Sequence, residues 1–452
     1  MSKGINSRKV AVIGTGFVGS SSAFALMESG LFTEMVLIDA DKNRAEGEAL
    51  DISHGLPFAR PMKIAAGDYD DIVDAAIIVV TAGAGQKPGE TRLDLVKKNV
   101  AIFQSIIPEI AKRNCKGILL IVANPVDILT QVAVKLSGFP ENRVFGSGTT
   151  LDSARLKYLL GEHLQVDARS VHAWIIGEHG DSEIVAWSSA NVSGVPISEF
   201  CEMRGYTKHD EHMEEIAQGV KNSAYKIIEK KKATYYGVAM AVRRICEAII
   251  RDEKSVLPVS SIQHDTYGIE GVTLSMPAIV GKDGIEKQVK IKLNEKEQEA
   301  VLSEEQTRRK EADSLKNYLQ KNLSKTQYTY LFNQNGVLEI GVPSAKYISR
   351  AKELCTKYTE QTKQDVTVCY ELCRYSIKEL EKAKESLEKD QDFTQLMKQV
   401  RYALVINNGY LELYCTDETP KKFDSWFEKS DYRDMMVVNE YQKILPTDSV
   451  GL

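Results

Sequence analysis

His179, Asp152 and Arg155 are the residues whose types and spacing can do acid-base chemistry. Asp152-Ser-Ala-Arg155 puts a carboxylate and a guanidinium three residues apart, on one face if the segment is helical. His179 stands in Gly177-Glu-His-Gly-Asp181, far enough along the chain that only folding can bring it to Asp152. A carboxylate behind an imidazole fixes its tautomer and favours its protonated form. A nearby arginine can hold a substrate carboxylate through two parallel hydrogen bonds. Such a set moves a proton on or off a 2-hydroxy or 2-keto acid, and it requires a hydride carrier beside it.

The N-terminal segment reads as a site for that carrier. Lys9-Val-Ala-Val-Ile-Gly14 is an apolar run ending in glycine, followed by Gly14-Thr-Gly16-Phe-Val-Gly19 and a helical stretch over 20–29. Gly14 permits a tight turn, Gly16 lets a pyrophosphate approach the backbone, and Gly19 lets helix pack on strand. The phosphates would rest on the helix N-terminus, whose N–H groups lack partners within the helix. A second apolar run, Met35–Ile38, ends in Asp39, about 20 residues beyond the last glycine, where an acid binds ribose hydroxyls and repels a 2′-phosphate. NAD is therefore favoured over NADP.

Further apolar runs at 76–81 and 117–122, separated by helical stretches such as 93–113, suit strands buried on both faces. Alternating strand and helix predicts an α/β fold with a Rossmann-type doubly wound parallel sheet over residues 1–150. The composition then changes: residues 320–452 hold 11 of the 19 tyrosines and 4 of the 30 glycines. This tail predicts an extra α+β domain built from two ββαβ-like repeats. Asn335-Gly336 and Asn408-Gly409 each separate two alternating runs, a hairpin signal. Each hairpin is followed by a helix opened near Pro343 or Pro420, then by a short β-rich run at 365–369 or 435–438. Between the copies, 371–389 reads as a charged amphipathic helix with Cys373, Ile377, Leu380 and Leu387 on one side.

With these stretches in place, the chain over about 8–319 resembles the L-lactate dehydrogenases, particularly the bacterial ones. The matching segments are Gly14–Gly19, Thr81-Ala-Gly-Ala-Gly-Gln-Lys-Pro-Gly-Glu-Thr-Arg92, Asn124-Pro-Val-Asp127, Leu151–Arg155, Ile176–Asp181 and Ala233-Thr-Tyr-Tyr-Gly237. The resemblance implies a Rossmann-type domain followed by a mixed α/β substrate domain over 151–319, and reversible reduction of pyruvate to L-lactate with NAD, in fermentative glycolysis, by a homotetramer. His179 would be the proton donor and acceptor, Asp152 its orienting partner and Arg155 the carboxylate clamp. Arg92 would polarise the keto oxygen from a mobile lid, Asn124 would bond the substrate oxygen, and Thr234 would line the pocket. Gln86, where relatives acting on malate carry arginine, would face the far end of the substrate; being neutral, it points to pyruvate. Cofactor contacts transfer by position to Val18, Asp39, Arg44, Tyr69, Gly83, Ala84, Ser105, Val122, Asn124 and Ser147. Lys157 and His172 match a fructose 1,6-bisphosphate effector site formed between two subunits. At the first position relatives commonly carry arginine, and lysine lacks its phosphate-gripping fork.

Two other readings stand beside this one. One is the same chemistry on another L-2-hydroxy acid, malate or a branched-chain acid. The other is a non-catalytic NAD-binding scaffold whose tail does the work. Composition narrows the classes. The chain has 452 residues, 43% hydrophobic and 27% charged, with a net charge of −5. That balance offers no footprint for nucleic acid or an anionic membrane. No run approaches the length of a membrane span. Seven scattered cysteines read as reduced thiols in a cytoplasmic protein, and none shows the paired spacing of a metal site.

Overall fold

A computed structural model describes residues 4–85, 92–180, 182–206, 209–334, 337–362, 366–373, 375–397, 402–407 and 410–415, with single positions and short stretches elsewhere in the tail. Gln86, Asp181, Asn335, Gly336, Asn408 and Gly409 lie outside the described residues. The chain divides into two compact units, Met1–Thr307 and Arg308–Leu452.

The first unit is organised by a nine-stranded sheet. Six strands form its parallel part: β1 (Asn6–Ile13), β2 (Glu34–Ile38), β3 (Lys63–Ala66), β4 (Ala75–Val80), β5 (Ile118–Ile121) and β6 (Val144–Gly146). Their spatial order is β3-β2-β1-β4-β5-β6, all parallel. The chain reverses its winding between β1 and β4, so the carboxyl ends of those two strands flank a crevice. β4 and β5 contribute Ile77, Ile78, Val79, Leu119, Leu120 and Ile121, each at 0% exposure, as strands covered on both faces must. The helices that cover them are α1 (Phe17–Ser29), α2 (Lys42–His54), α3 (Arg92–Ala111) and α4 (Val126–Ser137). The strands and helices expected in this region are all present, with ends shifted by up to three residues.

The substrate half is not a separate layer. Strand Ser255–Ile262 joins the edge of β6 antiparallel, through Ser260 opposite Gly146, and strands Thr273–Gly281 and Gly284–Gln288 extend the same sheet. Helix α5 (Thr150–Leu164) leaves the carboxyl end of β6. It packs with the helix His209–Lys231 over a core that includes Leu156, Leu160, Leu164 and Val220.

The second unit holds two three-stranded sheets of the same plan. In the first, Tyr330–Gln334 and Val337–Val342 are antiparallel, and after helix Ala345–Thr362 the strand Thr367–Leu372 returns parallel to the second. In the other, Tyr402–Asn407 and Tyr410–Cys415 are antiparallel and Met436–Asn439 is parallel to the latter. The repeated ββαβ pattern is present in strand order and direction, while the helix expected near Pro420 lies largely outside the described residues. The amphipathic helix expected over 371–389 is shorter. It spans Ile377–Glu388, and Glu371 and Leu372 belong to the preceding strand. A capping box sets its start: the Ser376 hydroxyl accepts from the Glu379 backbone, and the Glu379 carboxylate accepts from the Ser376 N–H at 2.7 Å. The unit also begins earlier than the composition change at 320, because Leu315, Leu319 and Leu323 pack in one core with Leu338, Ile340 and Leu354.

Candidate active site and dinucleotide site

Asp152 lies in the first turn of α5, where the helix dipole favours a negative charge. Arg155 follows one turn later, and its Nη1 donates to Asp152 Oδ1 at 2.8 Å. The other carboxylate oxygen, Oδ2, lies 2.6 Å from His179 Nδ1. The three residues expected to work together are thus in one place.

Three anchors fix the segment carrying His179. The Thr149 hydroxyl donates to the Ile175 carbonyl at 2.6 Å, and the Ser153 hydroxyl accepts from the Ile175 N–H at 2.8 Å, tying α5 to the strand Ile175–Ile176. Gly177 then exchanges two backbone hydrogen bonds of 2.9 Å with Ser275. Finally, the His179 N–H donates to Asp127 Oδ2 at 2.8 Å. Asp127 is buried at the start of α4 and also accepts from the Ser260 hydroxyl at 2.5 Å and the Ser275 hydroxyl at 3.3 Å. The imidazole is therefore held at its backbone and at Nδ1, leaving Nε2 as the nitrogen for exchange with a substrate.

The electrostatics follow from this packing. Burial alone would lower the His179 pKa, but the charge and hydrogen bond of Asp152, with Asp127 and Glu183 behind, raise it to about 9. Burial alone would raise that of Asp152, but His179 and Arg155 hold it below its usual value. At neutral pH the group is an imidazolium, a carboxylate and a guanidinium.

The dinucleotide residues gather at the carboxyl ends of the parallel strands. Gly14 follows β1 with φ +93°, and a Cβ there would lie 2.5 Å from the Ala82 nitrogen. A Cβ on Gly19 would lie 1.8 Å from the Gly14 carbonyl oxygen, so only glycine lets α1 approach β1 this closely. A Cβ on Gly16 would meet nothing within 4 Å. Gly16 is also the N-cap of α1, with no side-chain cap and no acidic residue in the first turn. An open, uncapped helix N-terminus fits a pyrophosphate. Val18, half-buried, lies in the first turn of α1. Asp39 follows β2; its Oδ2 accepts from the Thr15 N–H and hydroxyl at 2.6 and 2.9 Å, and its Oδ1 from the Asp41 N–H at 2.9 Å. Burial pushes the Asp39 pKa up, and these hydrogen bonds together with Arg44 bring it below the usual value, so it stays anionic. A carboxylate has about four acceptor positions, so places remain for ribose hydroxyls.

Arg44 is exposed on α2, and Tyr69 is half-buried beyond β3 under the Arg113 guanidinium. Gly83 and Ala84 follow β4, Val122 and the exposed Asn124 follow β5, and Ser147 follows β6 with its N–H on the Ile121 carbonyl at 2.8 Å. Ser105 is exposed along α3, its hydroxyl donating to Ile102 at 2.7 Å. Thr234 is half-buried just before the helix Tyr236–Ile250. Arg92 is the first residue of α3, but its side chain lies outside the described residues, as does Gln86. Of the two effector positions, Lys157 is half-buried with its Nζ 5.1 Å from the Trp174 ring centre, and His172 is exposed on strand Val171–His172. Burial and the charge of Arg244 depress the Lys157 pKa.

Sequence reasoning missed three residues. Asp127 lies inside the quoted segment Asn124–Asp127 but was not assigned a role. Asn99 is buried on α3; its Oδ1 accepts from the Ala84 N–H at 2.7 Å and its Nδ2 donates to the Asn124 carbonyl at 2.6 Å, joining the loops after β4 and β5. A polar residue on the same stripe as Val96, Val100 and Phe103 is the signal that could have found it. Glu183 is buried beside His179.

The comparisons with known proteins cover the same region. The family pattern described as lactate/malate dehydrogenase, NAD binding domain, matches residues 8–146, and that described as lactate/malate dehydrogenase, alpha/beta C-terminal domain, matches 149–319. The chain is 56% identical over 291 residues to an L-lactate dehydrogenase of Thermoanaerobacterium saccharolyticum, covering 64% of this chain and 94% of that protein. It is 49% identical over 319 residues to an L-lactate dehydrogenase of Clostridium botulinum, covering 71% and 98%. Among solved structures, the minor L-lactate dehydrogenase of Enterococcus mundtii in a ligands-bound form matches with a TM-score of 0.64 and 42% identity, over 66% of this chain and 96% of that one.

Proposed function

We propose, from the premise that this chain belongs to the lactate/malate dehydrogenase family, that it interconverts pyruvate and L-lactate with His179 as the proton donor and acceptor. The observation that carries the assignment of roles is the single carboxylate of Asp152 bonded to both Arg155 and His179.

NAD is the cofactor, and the open N-terminus of α1 with the anionic Asp39 suits it. When bound, it supplies or takes up the hydride. The protein's own residues do the rest. Arg155 holds the substrate carboxylate, which brings the carbonyl to His179. As negative charge grows on the carbonyl oxygen, the imidazolium Nε2 proton passes to it. Asp152 stabilises the charged ring before transfer and keeps Nδ1 protonated after it. In lactate oxidation the neutral ring takes the hydroxyl proton back. Arg92, Asn124, Thr234 and Gln86 complete the substrate pocket in this reading, Gln86 favouring a methyl group over a second carboxylate, whose unpaired burial would cost several kcal/mol, roughly. Residues 1–150 hold the dinucleotide and supply Gln86, Arg92 and Asn124 to the pocket, 151–319 carry Asp152, Arg155, His179 and Thr234, and 320–452 form a further module for regulation or assembly.

The exposed Phe17, Phe24, Leu50, Tyr236 and Met240, on α1, α2 and the helix Tyr236–Ile250, support assembly into the homotetramer usual for the family. Lys157 and His172 are the groups through which fructose 1,6-bisphosphate would act, read as a change of pyruvate turnover when it is added. Among the described residues no helix is long and apolar enough to cross a membrane.

Following NADH absorbance with pyruvate, oxaloacetate and a branched 2-keto acid tests this function. Pyruvate should be preferred, and His179→Gln should abolish turnover while NADH still binds. Faster turnover of oxaloacetate, or an active His179→Gln chain, would overturn the reading.

A further inference from the structure

Glu183 is 5% exposed, stands behind His179 and takes no step in the proton transfer above. It sits directly before strand Ile184–Val185, with its N–H on the Gly180 carbonyl at 3.2 Å. Its carboxyl lies within 4.8 Å of both the Asp152 carboxylate and the His179 ring. Among the described residues that carboxyl makes no hydrogen bond. A buried carboxyl without hydrogen bonds is costly to ionise. Burial, and then the charge of Asp152, raise its pKa to about 8 against the pull of His179, Lys221 and Arg155.

Charged groups face this cluster from every side. Asp152 and Arg155 come from α5, Asp127 from α4, Lys221 from the helix His209–Lys231, and His179 from the loop itself. Glu178 lies on the same loop and accepts from the Ser182 hydroxyl at 2.6 Å. The three groups Asp152, His179 and Glu183 have the spacing of a cation site, but Arg155 already occupies Asp152 and would repel a metal ion.

We propose that Glu183 is a positioning residue for His179: its carboxyl is neutral while the imidazolium donates its proton near neutral pH, and its ionisation in alkaline solution puts a second negative charge beside the ring and keeps it charged. The only bond broken is the carboxyl O–H, whose proton leaves to solvent. The neutral form matters as much as the charged one. At neutral pH it adds no second anion to Asp152 in competing with the substrate carboxylate for Arg155. As the pH rises, the new charge delays loss of the imidazolium proton and so extends pyruvate reduction upward. This inference rests on His179 being the proton donor.

The test is the pH dependence of kcat/KM for pyruvate, from neutral to strongly alkaline, in the full chain. Glu183→Gln should bring the alkaline limb down by about one unit, the low end of what an opposite charge at such a distance does. Glu183→Asp, which keeps an ionisable group, should restore most of that shift. A Glu183→Gln limb that coincides with the unsubstituted one overturns the inference. His179→Gln separates the two claims: if it stays active, the proton-donor reading fails, and if it is dead while Glu183→Gln titrates normally, only the role of Glu183 fails. Should Glu183→Gln not fold, the isotope-labelled His179 ring of the unsubstituted protein decides. Two inflections are expected, and a single one overturns the proposal.

Discussion

Asp152 presents its two carboxylate oxygens to two different cations, Oδ1 to Arg155 at 2.8 Å and Oδ2 to His179 at 2.6 Å. One buried anion therefore sets both the direction of the substrate clamp and the charge of the proton donor. Asp152→Asn keeps the shape but removes the charge, leaving a half-buried guanidinium without its anion and an imidazole that prefers to be neutral. Turnover of pyruvate should fall by roughly 10²–10⁴-fold, the range for general acid catalysis. The alkaline limb of its pH profile should also retreat from about 9 toward 6.5, the usual value for histidine. A variant with reduced turnover but an unmoved limb would show that Asp152 acts on geometry alone.

The pH dependence of stability has opposite signs on the two sides of the pair. His179 has a folded-state pKa raised from 6.5 to about 9. Its contribution is full below 6.5 and is lost as pH rises through about 9. Asp152 is depressed from 3.8, so its contribution is present above that value and is lost as pH falls. Glu183, raised from 4.5 to about 8, contributes below 4.5 and loses that contribution as pH rises to about 8. The melting temperature of the unsubstituted chain should decline from neutral to strongly alkaline pH. Glu183→Gln should decline less, because its side chain has no proton to lose. Parallel melting curves for the two chains would refute that sign.

The glycine turn separates two roles that sequence alone presents together. Gly19→Ala would drive a methyl into the Gly14 carbonyl, with 1.8 Å between them before any shift. It should cost about 1–3 kcal/mol, as overpacking does, and lower the melting temperature even without cofactor. Gly16→Ala would meet no atom of the protein. It should leave the cofactor-free melting temperature nearly unchanged and weaken NADH binding by tenfold or more, roughly, because the methyl takes the room of a phosphate. Calorimetry of both variants with and without NADH reads the contrast; equal loss of stability in both would contradict it.

The parallel sheet was legible in the sequence because its central strands are covered on both faces and so appear as unbroken apolar runs. The glycine turn and Asp39 were legible because backbone sterics and charge allow few substitutes at those places. The joining of the substrate half to β6 was not, since one pairing of Ser260 with Gly146 leaves no periodic trace. Asp127 and Glu183 were hidden for a related reason. Their partners lie on other elements, and a lone acid in a sequence does not reveal that it is buried. In the tail, hairpin and parallel return were readable from alternation, whereas the start of helix Ile377–Glu388 depended on a capping box that the charge pattern of 371–389 obscured.

Asn99 joins the loops after β4 and β5 by bonds of 2.7 and 2.6 Å to Ala84 and Asn124. Asn99→Ala removes the partner of the half-buried Ala84 N–H and of the Asn124 carbonyl, which should cost roughly 0.5–1.5 kcal/mol for each bond lost. The loop after β4 borders the dinucleotide crevice and the loop after β5 lies beside it, so the KM for NADH should rise with the loss of stability. Asn99→Asp is the control that keeps an acceptor for Ala84 and loses the donor to Asn124. If both variants bind NADH normally, the link is structural only.

The helix Glu295–Asn322 contains the division between the two units at Thr307 and Arg308. Near its start Glu297 accepts from the Ser188 and Asn294 N–H groups at 3.0 and 2.9 Å, and Val301 is buried with Ile176, Leu274 and Met276. Further on, Leu315, Leu319 and Leu323 belong to the core of the second unit. None of the residues assigned to proton transfer or substrate holding lies beyond 307. A chain ending at Thr307 should therefore keep pyruvate turnover within a few-fold of the full chain. A chain ending at Leu319 should turn over equally well but aggregate more readily. It carries Leu315 and Leu319 without the core that covers them, and each leucine so exposed forfeits about 1.5–3 kcal/mol of burial. Activity and light scattering on the two chains check this. Loss of turnover in the shorter chain would show that the second unit supports the chemistry.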